Sequence, residues 1–537
     1  MSDPKESTQG TSNDPEEFTE DELRRAETRV FLPDDDLADQ MYGLNSVARK
    51  MTEEEEERAN DEESNPGSSS DDTGDADSKS KSTAQPSTEG VSGPIAGEKV
   101  GFLNPAVSSL RKEVTIGFLK VWVLLAMLVI VTFSIYWGSL YERTEHLHKL
   151  KMLVVIQDDA GVDGVSSMIG DHIELLLNTT FHSSGDWKII RGTDEINDFF
   201  GEGKNVTEEI LREVHHRHYW SGTQVYTNAT ANYYDFLVGD TDTAGPAVQY
   251  IYETGRDPVS MTPYVVTTLK NITSTFEQQL WGNLSQEMIS NLSDDEKLTL
   301  IQSHAITTPP EFVYTDYRPF NNYTLIAPTQ VGLIYLIIMS FFLFNFFAQI
   351  HLILLPHIKI QHYLIYRILG NHFSYLIISL FICAVSAIFQ VDFTPAFGRG
   401  GFVVFWLTTY LTMAAVGGAN ENMGMLLFAY NPPFLGFWLI SFVILNVSPS
   451  FSPLALVSDF YRYGYIFPIH HSNEIYKVIF FDLWKGQLGM NYGVIVAWVV
   501  INTLLMPFVL KHVGGVMARK ARKEAAAAAK KGEEGKK

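Results

Sequence analysis

A carboxylate interrupts one of the longest apolar runs in the chain. The stretch GFVVFWLTTYLTMAAVGGANENMGMLLFAYNPP sets Glu421 between Asn420 and Asn422. Within a membrane a carboxylate costs roughly 3 kcal/mol on insertion scales unless it is paired, protonated or turned to a wet cavity. Glu421 is therefore a candidate site for a substrate headgroup or a proton, with Asn420 and Asn422 beside it. The competing reading has Glu421 reach the cytoplasmic interface or cap a neighbouring helix. Successive helical residues diverge by about 100°, so the three side chains cannot share one face.

A second polar group lies in PSFSPLALVSDFYRYGYIFPIHH, where Asp459 and Arg462 are three apart, a helical pairing distance. His470 and His471 follow. Adjacent histidines rarely converge on one ion, and no acid-Cys set stands nearby, so a structural use is favoured over a metal site. The same holds for His215, His216 and His218. The sequence contains no G-x-S-x-G elbow and no G-x-x-x-x-G-K-[ST] phosphate loop. No catalytic residue, metal or cofactor is assigned, and the expectation is a protein that is not an enzyme.

These residues must be held by membrane helices. Residues 121–141, VWVLLAMLVIVTFSIYWGSLY, carry no charge and are long enough to cross about 30 Å of hydrocarbon. Further apolar runs lie at 331–355, 373–391, from 401 onward, 434–447 and 494–510. The fourth run could stop at Asn420-Glu421-Asn422 or continue to Asn431-Pro432-Pro433. Two prolines make the better stop, which leaves Glu421 inside the helix. Six spans put both termini on one side. Arg111, Lys112 and Lys120 before the first span, Lys359 and Arg367 after the second, and nine Lys/Arg against three Glu from Lys511 onward make that side cytoplasmic. With no apolar core at the extreme N-terminus, the first span is expected to act as an internal signal anchor.

Residues 142–328, between spans one and two, are too many for a structureless loop. MLVVI reads as a strand covered on both faces. VSSMIGDHIELLLN follows with Val165, Met168, Ile169, His172, Ile173 and Leu176 on one helical stripe. WKII and TDEINDFF repeat the β-then-α order, which implies α/β layering. YWSGTQVYTNATANYYDF reads as an aromatic-rich β segment turning at Asn228, VQYIYET as another strand, and 263–302 as mainly helical. N-x-S/T triplets at Asn178, Asn205, Asn228, Asn271, Asn283, Asn291 and Asn322 all fall in this segment, which points to a lumenal or extracellular glycosylated face. Another, at Asn446, lies too near the membrane for easy modification.

The resulting plan is a polytopic α-helical membrane protein with six transmembrane helices and an α/β ectodomain between helices 1 and 2. Residues 1–100 hold 27 Asp/Glu against 10 Lys/Arg, a net −17 of the chain's −23, and form an acidic cytoplasmic tail expected to be disordered. It serves either as a phosphorylation-tuned interaction arm or as a solvated leader. A juxtamembrane segment (101–120), the first helix (121–141), the ectodomain (142–328), a five-helix membrane domain (329–510) and a basic cytoplasmic tail (511–537) follow. Within the membrane domain, the outer loop 449–493 is expected to be half-inserted against the bundle. The tail's Lys/Arg cluster suits anionic lipid. The acidity belongs to one tail, so nucleic acid is not an expected partner. The one cysteine, Cys383, rules out an intrachain disulfide.

YWGSLY, MLVVIQDD, YETGRDP (252–258), GANENMGM (418–425), FWLISFVILNVSPSFSPL and FYRYGYIFPIHHSNEIYKVIF (460–480) together resemble the fungal nitrosoguanidine-resistance membrane protein family. That family is placed among relatives of the ABC-2-type permease fold. The resemblance covers roughly residues 100–515. It implies a role in drug resistance and plasma-membrane phospholipid asymmetry. Without a nucleotide domain of its own, the chain is expected to be a permease-like protein acting on a lipid or lipophilic compound. The alternative is a non-transporting regulator or scaffold. Expected partners are membrane lipids, a lipophilic small molecule, and a second copy or a separate regulatory protein. The expected location is the plasma membrane, with the endoplasmic reticulum as the alternative.

Overall fold

The computed structural model describes residues 102, 104–158, 167–290, 292–303 and 305–534. The acidic tail 1–100, Val165, the sequon Asn291 and the last three residues lie outside the described residues. The chain divides into two compact units. One comprises residues up to Ile130 with those from Met517, and the other is Val131–Val516, which contains everything discussed from here on except most of the first helix and the end of the last.

From Val121 onward helix α1 (Ser108–Gly138) is apolar all round, and its large side chains are exposed, as lipid-facing residues should be. The chain then enters a lobe. In order, this contains β1 (Lys151–Ile156), α2 (Met168–Asn178), β2 (Asp186–Arg191), α3 (Gly192–Phe200), α4 (Val206–His215), β3 (Ser221–Val225), α5 (Ala229–Val238), β4 (Pro246–Tyr252), α6 (Thr267–Thr275), α7 (Trp281–Ser290), α8 (Asp294–Ser303) and β5 (Glu311–Asp316). The sheet order is β2-β1-β3-β4-β5. β1 pairs in parallel with both neighbours, β4 runs antiparallel to β3, and β5 is parallel to β4.

The run MLVVI is buried on both faces because successive side chains point to opposite sides of a strand. Met152, Val154 and Ile156 join α2, α5 and α6 in one core, and Leu153 and Val155 join Ile196 and Ile210 of α3 and α4 in the other. The segment after β3 differs from the expected aromatic-rich β segment turning at Asn228. Asn228 adopts a left-handed conformation (φ 57°) and starts a helix. Ala229, Tyr233 and Leu237 then fall four apart and fill the core, so helical spacing overrides the β preference of the tyrosines. β5 was not marked by any sequence signal considered above.

The membrane part comprises α9 (Gly332–Leu354), α10 (Ile360–Ile388), α11 (Gly401–Tyr430), α12 (Phe434–Val447), α13 (Pro468–Phe481) and α14 (Leu488–Glu534). Among the described residues, five helices are long and apolar enough to cross a bilayer: α1, α9, α10, α11 and α14. The fifth expected span is the exception. α12 has 14 residues, which is about 21 Å of helix against about 30 Å of hydrocarbon. α11 runs unbroken through Glu421 and stops at Asn431-Pro432-Pro433. α10 begins 13 residues before the expected 373, so Arg367 is a buried helical residue rather than a loop charge.

Beyond α12 the chain reaches the lobe side, where Arg143 donates to Ser452 and Leu456 enters the lobe's core. It then dips back, and the Ile466 carbonyl accepts from Trp498 Nε1 at 2.7 Å. α13 rises again beside α11. Ser472 meets Thr412 at 2.7 Å, Tyr476 meets Thr409 at 2.8 Å, and the Phe480 ring packs 5.1 Å from that of Phe405. Thr412 lies roughly 16 Å along α11 from its lobe-side end, at 1.5 Å per residue, so α13 begins part-way along α11 and returns toward the lobe as a re-entrant helix.

Candidate functional site

Residues 420–422 of α11 point in three directions and hold three different sets of neighbours. Asn420 donates to the Ile337 carbonyl (3.0 Å) and Ser340 Oγ (2.9 Å) on α9, and accepts from Trp438 Nε1 on α12 (2.9 Å). Glu421 Oε1 accepts from Arg367 Nε (2.7 Å) and Nη2 on α10, and Arg367 Nη1 donates to Tyr363 Oη (3.2 Å). Asn422 donates to the Asn502 carbonyl on α14 (2.9 Å). The 100° step between successive helical residues makes this division of labour possible.

Glycines let the same helices approach. A Cβ on Gly417 would lie 2.5 Å from the Tyr375 ring, on Gly418 2.8 Å from Asn502, and on Gly424 2.5 Å from the Phe344 ring. Small residues at these contacts permit the backbone approach that packs membrane helices without a hydrophobic driving force. The cavity between α10, α11 and α14 measures about 20 Å³, room for one water, and Glu421 does not line it. Close by, buried His351 of α9 faces Asn371 of α10 and the Arg367–Glu421 pair.

A second group of charges joins the lobe to α13. Arg217 pairs with Glu474, Glu474 with Lys477 (2.8 Å), and Lys477 with Asp257 (3.5 Å). Each of these side chains is at most 16% exposed, and the two cations match the two anions. Such a set is tolerated out of water only because every charge has a partner. Arg318 adds a pair to Asp482 (2.9 Å), and Gly255 allows the lobe backbone to rest on the Phe481 ring. Within the lobe, Arg256 stacks on Trp220 at 3.8 Å. Its burial, and then the neighbouring Arg217, lower its pKa.

The remaining candidates separate. Asp459 and Arg462 form an exposed pair at 3.1 Å. His471 is buried against Asn491 Oδ1 and the Tyr465 carbonyl, both at 2.9 Å. His470 packs edge-on to Tyr465, its Nδ1 without a partner among the described residues. His215 meets Glu253 and His218 meets Glu213, each at 2.7 Å, while His216 packs on Trp484. Asn178, Asn205, Asn228, Asn271 and Asn283 are exposed and Asn322 is half-buried. Asn446 is buried, its amide donating to the Phe442 carbonyl.

Sequence reasoning missed Arg367, Arg217, Asp257, Glu474 and Lys477. One signal was available. Glu474 and Lys477 stand three apart in PIHHSNEIYKVIFF, the spacing of a pair on one helical face.

The sequence profile of a family described as "Protein of unknown function (DUF3533)" matches residues 121–504. The chain is also similar to the uncharacterized endoplasmic reticulum membrane protein YJR015W of Saccharomyces cerevisiae. The two are 37% identical over 436 residues, covering 78% of this chain and 84% of the yeast protein. No solved structure matches the chain.

Proposed function

The chain belongs to the DUF3533 family of membrane proteins, and from that premise we propose that it is a membrane coupling protein rather than a conduit. In this reading the α/β lobe binds a ligand or partner, and the re-entrant helix α13 conveys the lobe's state to the bundle. One observation carries it: the buried, charge-matched cluster Arg217–Glu474–Lys477–Asp257 ties the lobe to α13. Taking one charge away would leave the others uncompensated in a dry setting, so the contact resists gradual loosening. The chemistry is non-enzymatic and needs no cofactor.

We assign the lobe to the lumenal face of the endoplasmic reticulum membrane, with the plasma membrane as the alternative. The yeast relative's name supports the compartment, and the exposed sequons support the side. Both termini are then cytoplasmic, with α12 completing a sixth crossing. Partners are membrane lipids, a second copy or a regulatory protein.

A second reading keeps the permease-like role, with a lipid or lipophilic toxicant passing when the Arg367–Glu421 pair opens. It fits the resemblance to drug-resistance proteins of ABC-2-type ancestry. What favours it is the pair itself, with buried His351 beside it, since ionisable groups within a membrane usually mark function.

Purified protein in liposomes separates the two readings. With fluorescent phospholipid quenched from outside by dithionite, the coupling reading expects the protected fraction to match protein-free liposomes. Protein-dependent flipping that disappears in Glu421→Gln would overturn it in favour of the permease.

A further inference from the structure

The lobe contains a cleft of about 380 Å³ at the carboxyl ends of β1 and β3, within the size range of small-molecule sites. Its position follows from topology. From β1 the chain crosses to β2 on one side and then returns over β1 to β3 on the other. The sheet therefore splits its connections between these two strands, and ligands of open α/β sheets bind in the crevice such a reversal leaves.

The chemistry of the walls narrows the ligand. Gln157 directly follows β1, Gln224 lies near the end of β3 with Tyr226 just beyond it, and Thr207 is in the first turn of α4. Gln224 Nε2 donates to Gln157 Oε1 at 2.7 Å, and Gln224 Oε1 accepts from Thr207 Oγ1 at 2.8 Å. Tyr226 is fixed by its hydroxyl donating to Gln249 at 2.6 Å. The amides are thus oriented in advance, and the NH₂ of Gln157 remains to donate elsewhere.

An anion finds little here. The nearby first-turn amides of α2 and α5 already donate to buried Asp158, from Gly170 N and Thr230 N, both at 3.1 Å. The first turn of α4 carries Glu208 and Glu209, and Lys204 on the rim pairs with Glu209 at 3.6 Å. An apolar ligand would bury the remaining NH₂ of Gln157 without a partner, which is costly.

We infer that the cleft binds a neutral polyhydroxyl ligand, a sugar ring or sugar-like headgroup. The inference rests on the reading of the lobe as the binding part of the protein. Two sources share this chemistry. One is an external sugar or glycolipid headgroup. The other is the chain's own N-linked sugar on Asn205, whose exposed side chain stands on the rim and caps α4 through Thr207 N.

The test uses full-length glycosylated protein in detergent and ligand-observed saturation-transfer NMR. The probes are N-acetylglucosamine, mannose and myo-inositol, with inorganic phosphate competing. Asn205→Asp removes the sequon and keeps a capping side chain. Sugar binding by both wild type and Asn205→Asp, undisturbed by phosphate, supports the external source. Binding only by Asn205→Asp supports occupation by the chain's own sugar. In either case Gln157→Leu should weaken binding about tenfold, the equivalent of one hydrogen bond. Gln157 is chosen because it is half-buried, whereas the more buried Gln224 is a riskier site for folding. No sugar binding by either protein, displacement by phosphate, or unchanged binding in Gln157→Leu would overturn the inference. Lipid flux in liposomes bears on the coupling reading alone, so the two can fail separately.

Discussion

Asn420 in the bundle and Gln224 in the lobe are both buried amides, but their surroundings differ. Asn420 sits where α9, α11 and α12 meet, and its bonds tie those helices together. The nearby bundle cavity is about 20 Å³. Gln224 is held in place by Thr207 and Gln157 at the wall of a cleft of about 380 Å³. Hydrocarbon offers no water to satisfy a polar group, so polar side chains among membrane helices are drawn to neighbouring helices. The lobe's edge meets water, and its amides can be aligned and still remain available. The same side-chain type therefore cross-links in one region and recognises in the other.

The contrast can be broken most forcefully at the ion pair. Arg367→Met should lower the thermal unfolding midpoint in detergent by the equivalent of about 3–5 kcal/mol, because buried Glu421 loses its partner. The double variant Arg367→Met/Glu421→Leu should recover most of that loss. A double variant as damaged as the single would mean the pair does more than cross-link. A smaller effect is expected from Asn420→Ala, which leaves Trp438 Nε1 without its acceptor and should cost about 1–3 kcal/mol in the same assay. The matched change in the lobe, Gln157→Ala, should cost less than about 1 kcal/mol, since water replaces its partner. Equal losses at the two amides would erase the distinction drawn here. Least of all, Asp459→Asn should change stability by less than about 0.5 kcal/mol, its pair with Arg462 being exposed.

Much of the scaffold can be read from residue patterns. The apolar runs of α1, α9 and α11 declare membrane helices, and Pro432-Pro433 marks where α11 ends. The β-branched run of β1 declares a strand with two covered faces. The divergence of residues 420–422 is a property of any helix. What a linear pattern lacks is the identity of partners. Arg367 and Glu421 are 54 residues apart, and an arginine beside an apolar run looks the same whether it meets water or a carboxylate. Arg217 and Glu474 are 257 apart and meet only because the re-entrant loop returns to the lobe. Propensity also misled at α5, where the tyrosines favour a strand but the four-residue spacing of Ala229, Tyr233 and Leu237 serves the core better.

The coupling between lobe and re-entrant helix is the claim on which the functional reading depends. It can be tested by hydrogen–deuterium exchange on full-length protein in nanodiscs, following the amides of Pro468–Phe481. The only change is Arg217→Gln, made in the lobe, which removes a partner of Glu474 without altering α13. The account predicts faster exchange along α13, greatest near Glu474 and Lys477. Exchange there indistinguishable from wild type would contradict it.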